Sequence, residues 1–246
     1  MKPILYLFDM DGTVTPSRNA IEQSTYDSLL SFKSQGIQLG LVSGSDLLKI
    51  KEQMRENVLE LFDYVFTENG LKSYHHGQLI HSQSIVEYLG EHTYQTLVNT
   101  FLQVLSTITL PVKRGVFLEL RTGMLNVCPI GRSCTQVERD EFEQFDKKHS
   151  IRTNIITKAQ EILQKHNIYN ITMSIGGQIS IDVFPVGWNK TYCLQFVPVD
   201  TKIYFFGDRI FPGGNDWEIA NDTRLKHAFK VTGPSDTISK CNELLS

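Results

Sequence analysis

Residues 4–13 read Ile-Leu-Tyr-Leu-Phe-Asp-Met-Asp-Gly-Thr, an unbroken apolar run ending in two acids one residue apart. A run without polar alternation is the pattern of a strand buried on both faces, hence of a parallel sheet in an α/β fold. The carboxyl ends of such strands are where open sheets place their ligands. Strand side chains alternate faces, so Asp9 and Asp11 converge only if the chain stays near-extended across Met10 and then turns. Gly12 permits that turn and Thr13 helps satisfy it. Two close carboxylates repel unless a cation shares them, and hard oxygen ligands with few protein contacts suit Mg²⁺. One acid is then placed to act as a nucleophile and the other as a proton donor and acceptor. An isolated acidic pair at a strand end is as often a solvated turn; the full Asp9–Thr13 run after an apolar strand is more specific.

With 246 residues the chain holds one large or two ordinary domains, and 41% hydrophobic with 21% charged residues is a globular composition. A net charge of −3 supplies no broad basic field, so neither nucleic acid nor an anionic membrane is expected as a partner. No apolar stretch approaches the roughly 20 residues of a membrane span, and the N-terminus enters a strand at once instead of opening with a leader. Cys128, Cys134, Cys193 and Cys241 are scattered, which fits free thiols in a reducing, cytoplasmic setting. His75, His76 and His81 flank a turn at Gly77 and receive no role.

A helical pattern covers residues 20–35 and stops at Gly36; a second apolar strand over 37–42 leads to Ser43-Gly44-Ser45-Asp46, and a helix follows over 47–54. This β-α-β-α opening predicts right-handed crossovers. Ser43, just past the strand, stands where a hydroxyl and neighbouring amides hold a phosphate, although Ser45 or Asp46 serves equally as a helix cap. A third strand over 64–67 ends at an Asn-Gly turn, and a hairpin over 71–82 completes the segment. From 85 to 108 the pattern is one long amphipathic helix, followed by antiparallel strands over 116–121 and 124–127. Helices over 135–148 and 153–166 and strands over 171–174 and 179–183 close this region, so residues 83–186 read as an α+β domain inserted into a core of residues 1–82 and 187–246.

The insert concentrates guanidinium groups at Arg114, Arg121, Arg132 and Arg139. Arginine presents a fork that matches phosphate oxygens, so a shared sheet face would make a clamp for a phosphorylated small molecule; for Arg114 a solvated surface is an equal reading. After the insert, Lys190 sits in the first turn of a helix, where a cation is disfavoured unless an anion faces it, so it reads as functional. The apolar strand 202–207 delivers Asp208, the natural third metal ligand, with Asn215 and Asp216 assisting from the loop behind it. A short strand over 228–233 and a helix over 235–244 end the chain.

An acid pair, a Ser, a Lys and an acidic loop, each at the end of an apolar segment, resemble the four motifs of the haloacid dehalogenase (HAD) superfamily. More narrowly, Arg121-Thr122-Gly123-Met124-Leu125-Asn126, Pro129-Ile130-Gly131-Arg132-Ser133 and the run from Gly176 to Pro185 look like the eukaryotic-type phosphomannomutase family, a likeness that covers nearly the whole chain. Two positions depart from the family pattern: Asn189 stands where an acid is usual, and Ser43 where glycine is.

The resemblance implies a Rossmann-like HAD core with a parallel sheet and an α+β cap with an antiparallel sheet. It implies Asp9 as the nucleophile that becomes a phosphoaspartate, Asp11 as general acid and base, and Mg²⁺ held by Asp9, the Asp11 carbonyl and Asp208. Ser43 and Lys190 would bind the transferring phosphoryl group. Arg18, Arg121, Arg132 and Arg139, with Asn126, Ser180 and Asp182, would bind the sugar phosphate. The implied reaction interconverts mannose 1-phosphate and mannose 6-phosphate through a hexose 1,6-bisphosphate, which also serves as activator, and feeds GDP-mannose synthesis. A homodimer through the cap is implied as well. The rival readings are a sugar-phosphate phosphatase whose phosphoaspartate is discharged by water, and a binding protein that keeps the fold without turnover.

Overall fold

The structure, a computed structural model, describes residues 2–245. The chain divides into two compact units, Met1–Ser82 with Gly187–Ser246, and Gln83–Val186. The first unit begins with β1 (Ile4–Asp9), α1 (Gln23–Ser34), β2 (Gln38–Val42), α2 (Leu47–Met54), α3 (Val58–Leu61), β3 (Tyr64–Thr67), β4 (Lys72–His75) and β5 (Gln78–Ser82). The second contains α4 (Ile85–Leu89), α5 (Glu91–Ser106), β6 (Leu118–Leu120), β7 (Leu125–Val127), α6 (Gln136–His149), α7 (Ile151–Lys165), β8 (Ile171–Gly176) and β9 (Ser180–Pro185). The chain then returns to the first unit with a 3₁₀ segment (Lys190–Phe196), β10 (Lys202–Gly207), α8 (Trp217–Ala220), β11 (Leu225–Lys230) and α9 (Pro234–Glu243).

The first unit's sheet runs β11-β10-β1-β2-β3-β4-β5, parallel from β11 to β3, with β4 and β5 as an antiparallel hairpin at one edge. The apolar run of β1 is explained by its interior place. Tyr6, Phe8 and Met10 join Leu29, Phe32, Ile50 and Cys241 on one face. Leu5 and Leu7 join Val42, Phe205, Leu194 and Ile219 on the other. Each such fully buried side chain contributes about 1.5–3 kcal/mol. Parallel register aligns the carboxyl ends: Phe8 pairs with Phe206 and Asp9 with Val42, so Ser43 and Asp208 emerge beside Asp9.

The second unit has a four-stranded antiparallel sheet in the order β6-β7-β9-β8. Register places Glu119 opposite Asn126, Asn126 opposite Asp182 and Asp182 opposite Ser174, one polar row across all four strands. Leu125, Val127, Ile181 and Val183 alternate with that row and are buried. Among the described residues no helix is long and apolar enough to cross a membrane.

Four expectations need correction. The strand expected over 228–233 is Leu225–Lys230, because its pairing with β10 begins at Ile203–Leu225 and ends at Gly207–Lys230. The helix expected from residue 20 begins at Gln23, because the Ile21 amide donates instead to the Gln53 carbonyl at the end of α2. The single helix expected over 85–108 is two, α4 and α5, broken at Gly90, whose φ of +76° a helix interior does not accept. The strand expected over 116–121 is only Leu118–Leu120; the Phe117 and Val116 carbonyls accept from Cys128 and Arg132 in the loop after β7, outside a regular ladder.

Candidate active site

The turn after β1 is built on one carbonyl. Met10 O accepts from the amides of Thr13, Val14 and Thr15 at 3.3, 3.1 and 3.1 Å, and the Gly12 amide returns to Thr15 O at 2.8 Å. Gly12 has φ +81°, and a Cβ there would lie 2.7 Å from Asp208 Oδ2, so both backbone and space require glycine. Asp9 is buried, accepts from Thr13 Oγ1 at 3.2 Å, and is ion-paired with the Lys190 ammonium. Lys190 is 2% exposed and also reaches Asp216 Oδ1 at 2.6 Å, while Asp216 Oδ2 accepts from the Arg209 amide at 3.0 Å. These carboxylates are the anions that offset a lysine at the start of the 3₁₀ segment, which Asn189 caps by accepting from Thr191 N at 2.9 Å.

Asp9, Asp208 and Asp216 each offer an oxygen within 4.8 Å of the others. Burial pushes the Asp9 carboxyl up to about 6 against the pull of Lys190, with Asp216 and Asp208 pushing the same way. Burial and then Asp216 also raise Asp208. For Lys190 burial works downward, but Asp9 and Asp216 outweigh it and hold the ammonium above the usual lysine value. The Lys190 ammonium and the Arg209 guanidinium, the latter only at 3.9 Å from Asp208, do not balance three carboxylates, and the remaining negative charge favours a cation shared among them. The donors are all hard oxygens, so the residues fit Mg²⁺.

Asp11 points its Oδ1 at two donors, the Arg18 amide at 2.8 Å and Gln53 Nε2 at 2.9 Å. Ser43 is buried, and its Oγ accepts from the Ser45 amide at 3.1 Å, while Asp46 caps α2 through Lys49 N. A cavity of about 240 Å³ opens here, with Asp9, Asp11, Asp208, Ser43 and Asn215 in its wall and Arg18, Lys49 and Arg209 as its cations. It is smaller than the roughly 300–1,000 Å³ of sites that enclose a drug-sized ligand, and suits a phosphoryl-sized anion.

On the polar row of the second unit, Asn126 Nδ2 donates to Asp182 Oδ1 and Arg132 Nη1 to Asn126 Oδ1, both at 2.6 Å. Glu119 Oε2 takes Arg121 Nε and Nη2 at 2.9 and 2.8 Å and lies 3.3 Å from Arg132 Nε. Arg139 Nη2 donates to the Arg132 carbonyl at 3.3 Å. Ser180 Oγ donates to Gly176 O at 2.8 Å, inside the β8–β9 hairpin. Arg114 pairs with Glu138 of α6, and its amide donates to the Ile130 carbonyl at 2.8 Å. The hairpin is fixed from behind by Arg152, whose Nη1 donates to Gly177 O at 3.0 Å and Ser180 O at 3.1 Å, while Nε holds Asp146 at 2.7 Å.

The comparisons with known proteins decide the family. The family model described as eukaryotic phosphomannomutase matches residues 26–246. The chain belongs to the eukaryotic phosphomannomutase family. Phosphomannomutase 1 of Dictyostelium discoideum is 48% identical over 240 residues, covering 97% of this chain and 95% of that protein. The phosphomannomutase of Galdieria sulphuraria is 48% identical over 243 residues, covering 98% and 94%. Among solved structures, a haloacid dehalogenase-like hydrolase from Bacteroides thetaiotaomicron has a TM-score of 0.58 at 14% identity over the whole of both chains, a likeness of fold. The phosphomannomutase-type chain thus carries its candidate residues in two groups. Asp9, Asp11, Arg18, Ser43, Asp208 and Asn215 line the cavity, and Lys190 with Asp216 joins it through Asp9. Arg121, Asn126, Arg132, Arg139, Ser180 and Asp182 lie in the inserted unit. Sequence reasoning missed Gln53, Lys49, Arg209 and Glu119. None stands in a local motif, and only strand and helix packing brings Gln53 to Asp11, 42 residues away.

Proposed function

We propose that the chain interconverts mannose 1-phosphate and mannose 6-phosphate through phosphorylated Asp9 and a hexose 1,6-bisphosphate. The carrying observation is Asp9 itself, buried between Thr13 and Lys190 in the wall of an anion-sized cavity beside Asp208 and Asp216. Thr13 and Lys190 orient the Asp9 carboxylate for attack on phosphorus. Lys190 neutralises charge on the transferring oxygens, and the Ser43-Gly44-Ser45 loop receives them. Asp11 returns a proton to the departing sugar oxygen and takes one from the attacking hydroxyl in the reverse half-reaction. Asp9, the Asp11 carbonyl and Asp208 would hold Mg²⁺, with Asn215 and Asp216 supporting; the ion supplies charge neutralisation for the phosphoryl group.

The inserted unit acts as the sugar-phosphate-binding domain. Arg121, Arg132 and Arg139 present guanidinium forks for the phosphate that is not transferred, and Asn126, Ser180 and Asp182 supply polar groups for sugar hydroxyls. The bisphosphate activator, a homodimer through this unit and a role in GDP-mannose synthesis belong to the same reading and rest on family resemblance. Four buried free cysteines support a reducing, cytoplasmic setting, and a net charge of −3 supplies no broad basic field to favour nucleic acid or an anionic membrane as a partner.

Phosphorus NMR of the purified chain with Mg²⁺ and mannose 1-phosphate, with and without a trace of glucose 1,6-bisphosphate, tests the reading. Bisphosphate-dependent accumulation of mannose 6-phosphate is the expected result. Inorganic phosphate in its place makes the chain a sugar phosphatase.

A further inference from the structure

Gln53 lies at the end of α2, is 6% exposed, and belongs to no motif of the sequence. Its Nε2 donates to Asp11 Oδ1 at 2.9 Å and to the Asn19 carbonyl at 3.3 Å. Both neighbours are acceptors, so the amide has one sensible orientation, NH₂ toward Asp11 and Asn19. Its Oε1 is then left buried without a hydrogen-bond partner among the described residues. A buried acceptor without a donor is a standing cost that needs a compensating reason. A second donor converges on the same oxygen: the Arg18 amide reaches Asp11 Oδ1 at 2.8 Å from a residue with φ +60°, backbone that non-glycine residues rarely adopt.

We propose that Gln53 is a positioning residue that makes the two oxygens of Asp11 inequivalent, saturating Oδ1 so that Oδ2 alone exchanges a proton with the sugar hydroxyl. This rests on the mutase reading. An Oδ1 that already accepts two N–H donors is a poor site for a proton, and Asp11 Oδ2 has no donor from the described protein. In the forward step the Asp9 carboxylate forms a bond to phosphorus while the phosphorus–sugar oxygen bond breaks. The electron pair leaves on that oxygen, which takes the proton from Asp11 Oδ2, and Asp11 ends as a carboxylate. Without Gln53 only the Arg18 amide holds Oδ1, so the carboxyl is less firmly oriented and the proton is more often carried by the oxygen that does not face the reaction.

The test compares two phosphoryl donors by rapid-quench measurement of Asp9 phosphorylation in Mg²⁺. Glucose 1,6-bisphosphate has a leaving oxygen that needs a proton, whereas acetyl phosphate loses acetate, which needs none. Positioned proton transfer contributes roughly 10²–10⁴-fold to a rate. Gln53→Met, which keeps the volume, is therefore expected to slow transfer from the bisphosphate on the order of 10–100-fold and transfer from acetyl phosphate by less than about threefold. Gln53→Leu, which likewise removes the donor and adds no charge, is expected to show the same selectivity and serves if the Met variant does not fold. Equal slowing with both donors makes Gln53 a structural residue only and overturns the proposal, as does unchanged transfer with both. A wild-type chain that acetyl phosphate phosphorylates and the bisphosphate does not refutes the mutase reading itself, and the proposal falls with it.

Discussion

The Asp146–Arg152 pair offers a quantitative test of how the polar row of the inserted unit is held. Both side chains are 7% exposed. Asp146 sits in the last turn of α6, accepts from the Arg152 amide at 2.8 Å and so satisfies an orphan donor at the start of α7. Its other oxygen takes Arg152 Nε at 2.7 Å, and the guanidinium continues to the carbonyls of Gly177 and Ser180. Asp146→Ala strands a buried cation, and Arg152→Met strands a buried carboxylate and removes the donor from those carbonyls. Breaking a buried pair from one side costs about 3–5 kcal/mol. With a urea slope of about 2 kcal/mol/M, each single variant should lower the midpoint by roughly 1.5–2.5 M. The double variant strands neither charge, so it should be less destabilised than the sum of the singles by about 0.5–3 kcal/mol. Trp188 and Trp217 both lie in the first unit, so tryptophan fluorescence reports that unit and circular dichroism reports both. The early transition should appear in circular dichroism and be muted in fluorescence. Additive single-variant losses, or midpoints that do not move, refute the argument that this pair is a buried, mutually dependent strut.

Three further outcomes are expected. Lys190→Met removes the cation shared by Asp9 and Asp216 and should lower kcat in a coupled mutase assay by about 10²–10³, the scale of losing one charge-stabilising donor. Glu119→Gln frees Arg121 and Arg132 from a carboxylate that competes with phosphate for their forks. Exposed pairs are worth about 0.2–1 kcal/mol each, so releasing two should lower KM for mannose 1-phosphate by about twofold to thirtyfold, and a raised KM sinks the competition argument. Chelation of divalent metal should abolish turnover, and Mg²⁺ restored at about 100 times its Kd should raise the unfolding free energy by about 2.7 kcal/mol, read as a higher Tm.

What the sequence discloses and what it hides divide along the line between local and long-range determinants. Asp9, Asp11, Ser43 and Asp208 are legible because each follows an apolar strand directly, and parallel register then forces the strand ends together. Lys190 is legible as a misplaced charge, although its partners are carboxylates the chain itself supplies. Gly90 is hidden because apolar periodicity continues across it while its φ of +76° turns the backbone. Arg152 is hidden for a different reason. A lone arginine opening a helix reads as solvated until the hairpin carbonyls that surround it are placed.

Glu119 shows why such residues escape a linear reading. Two residues from Arg121, on an alternating strand, it presents itself as an ordinary surface pair. Strand pairing sets it opposite Asn126, whose amide oxygen holds Arg132, and the same glutamate then also meets Arg132. The arginines belong to a recognisable motif, but the charge that occupies their forks, and that a phosphate would have to displace, comes from the pairing of β6 with β7. A motif therefore identifies the candidate substrate-binding groups, while the groups that orient them or compete for them are specified by packing, which is where Gln53 and Glu119 stand.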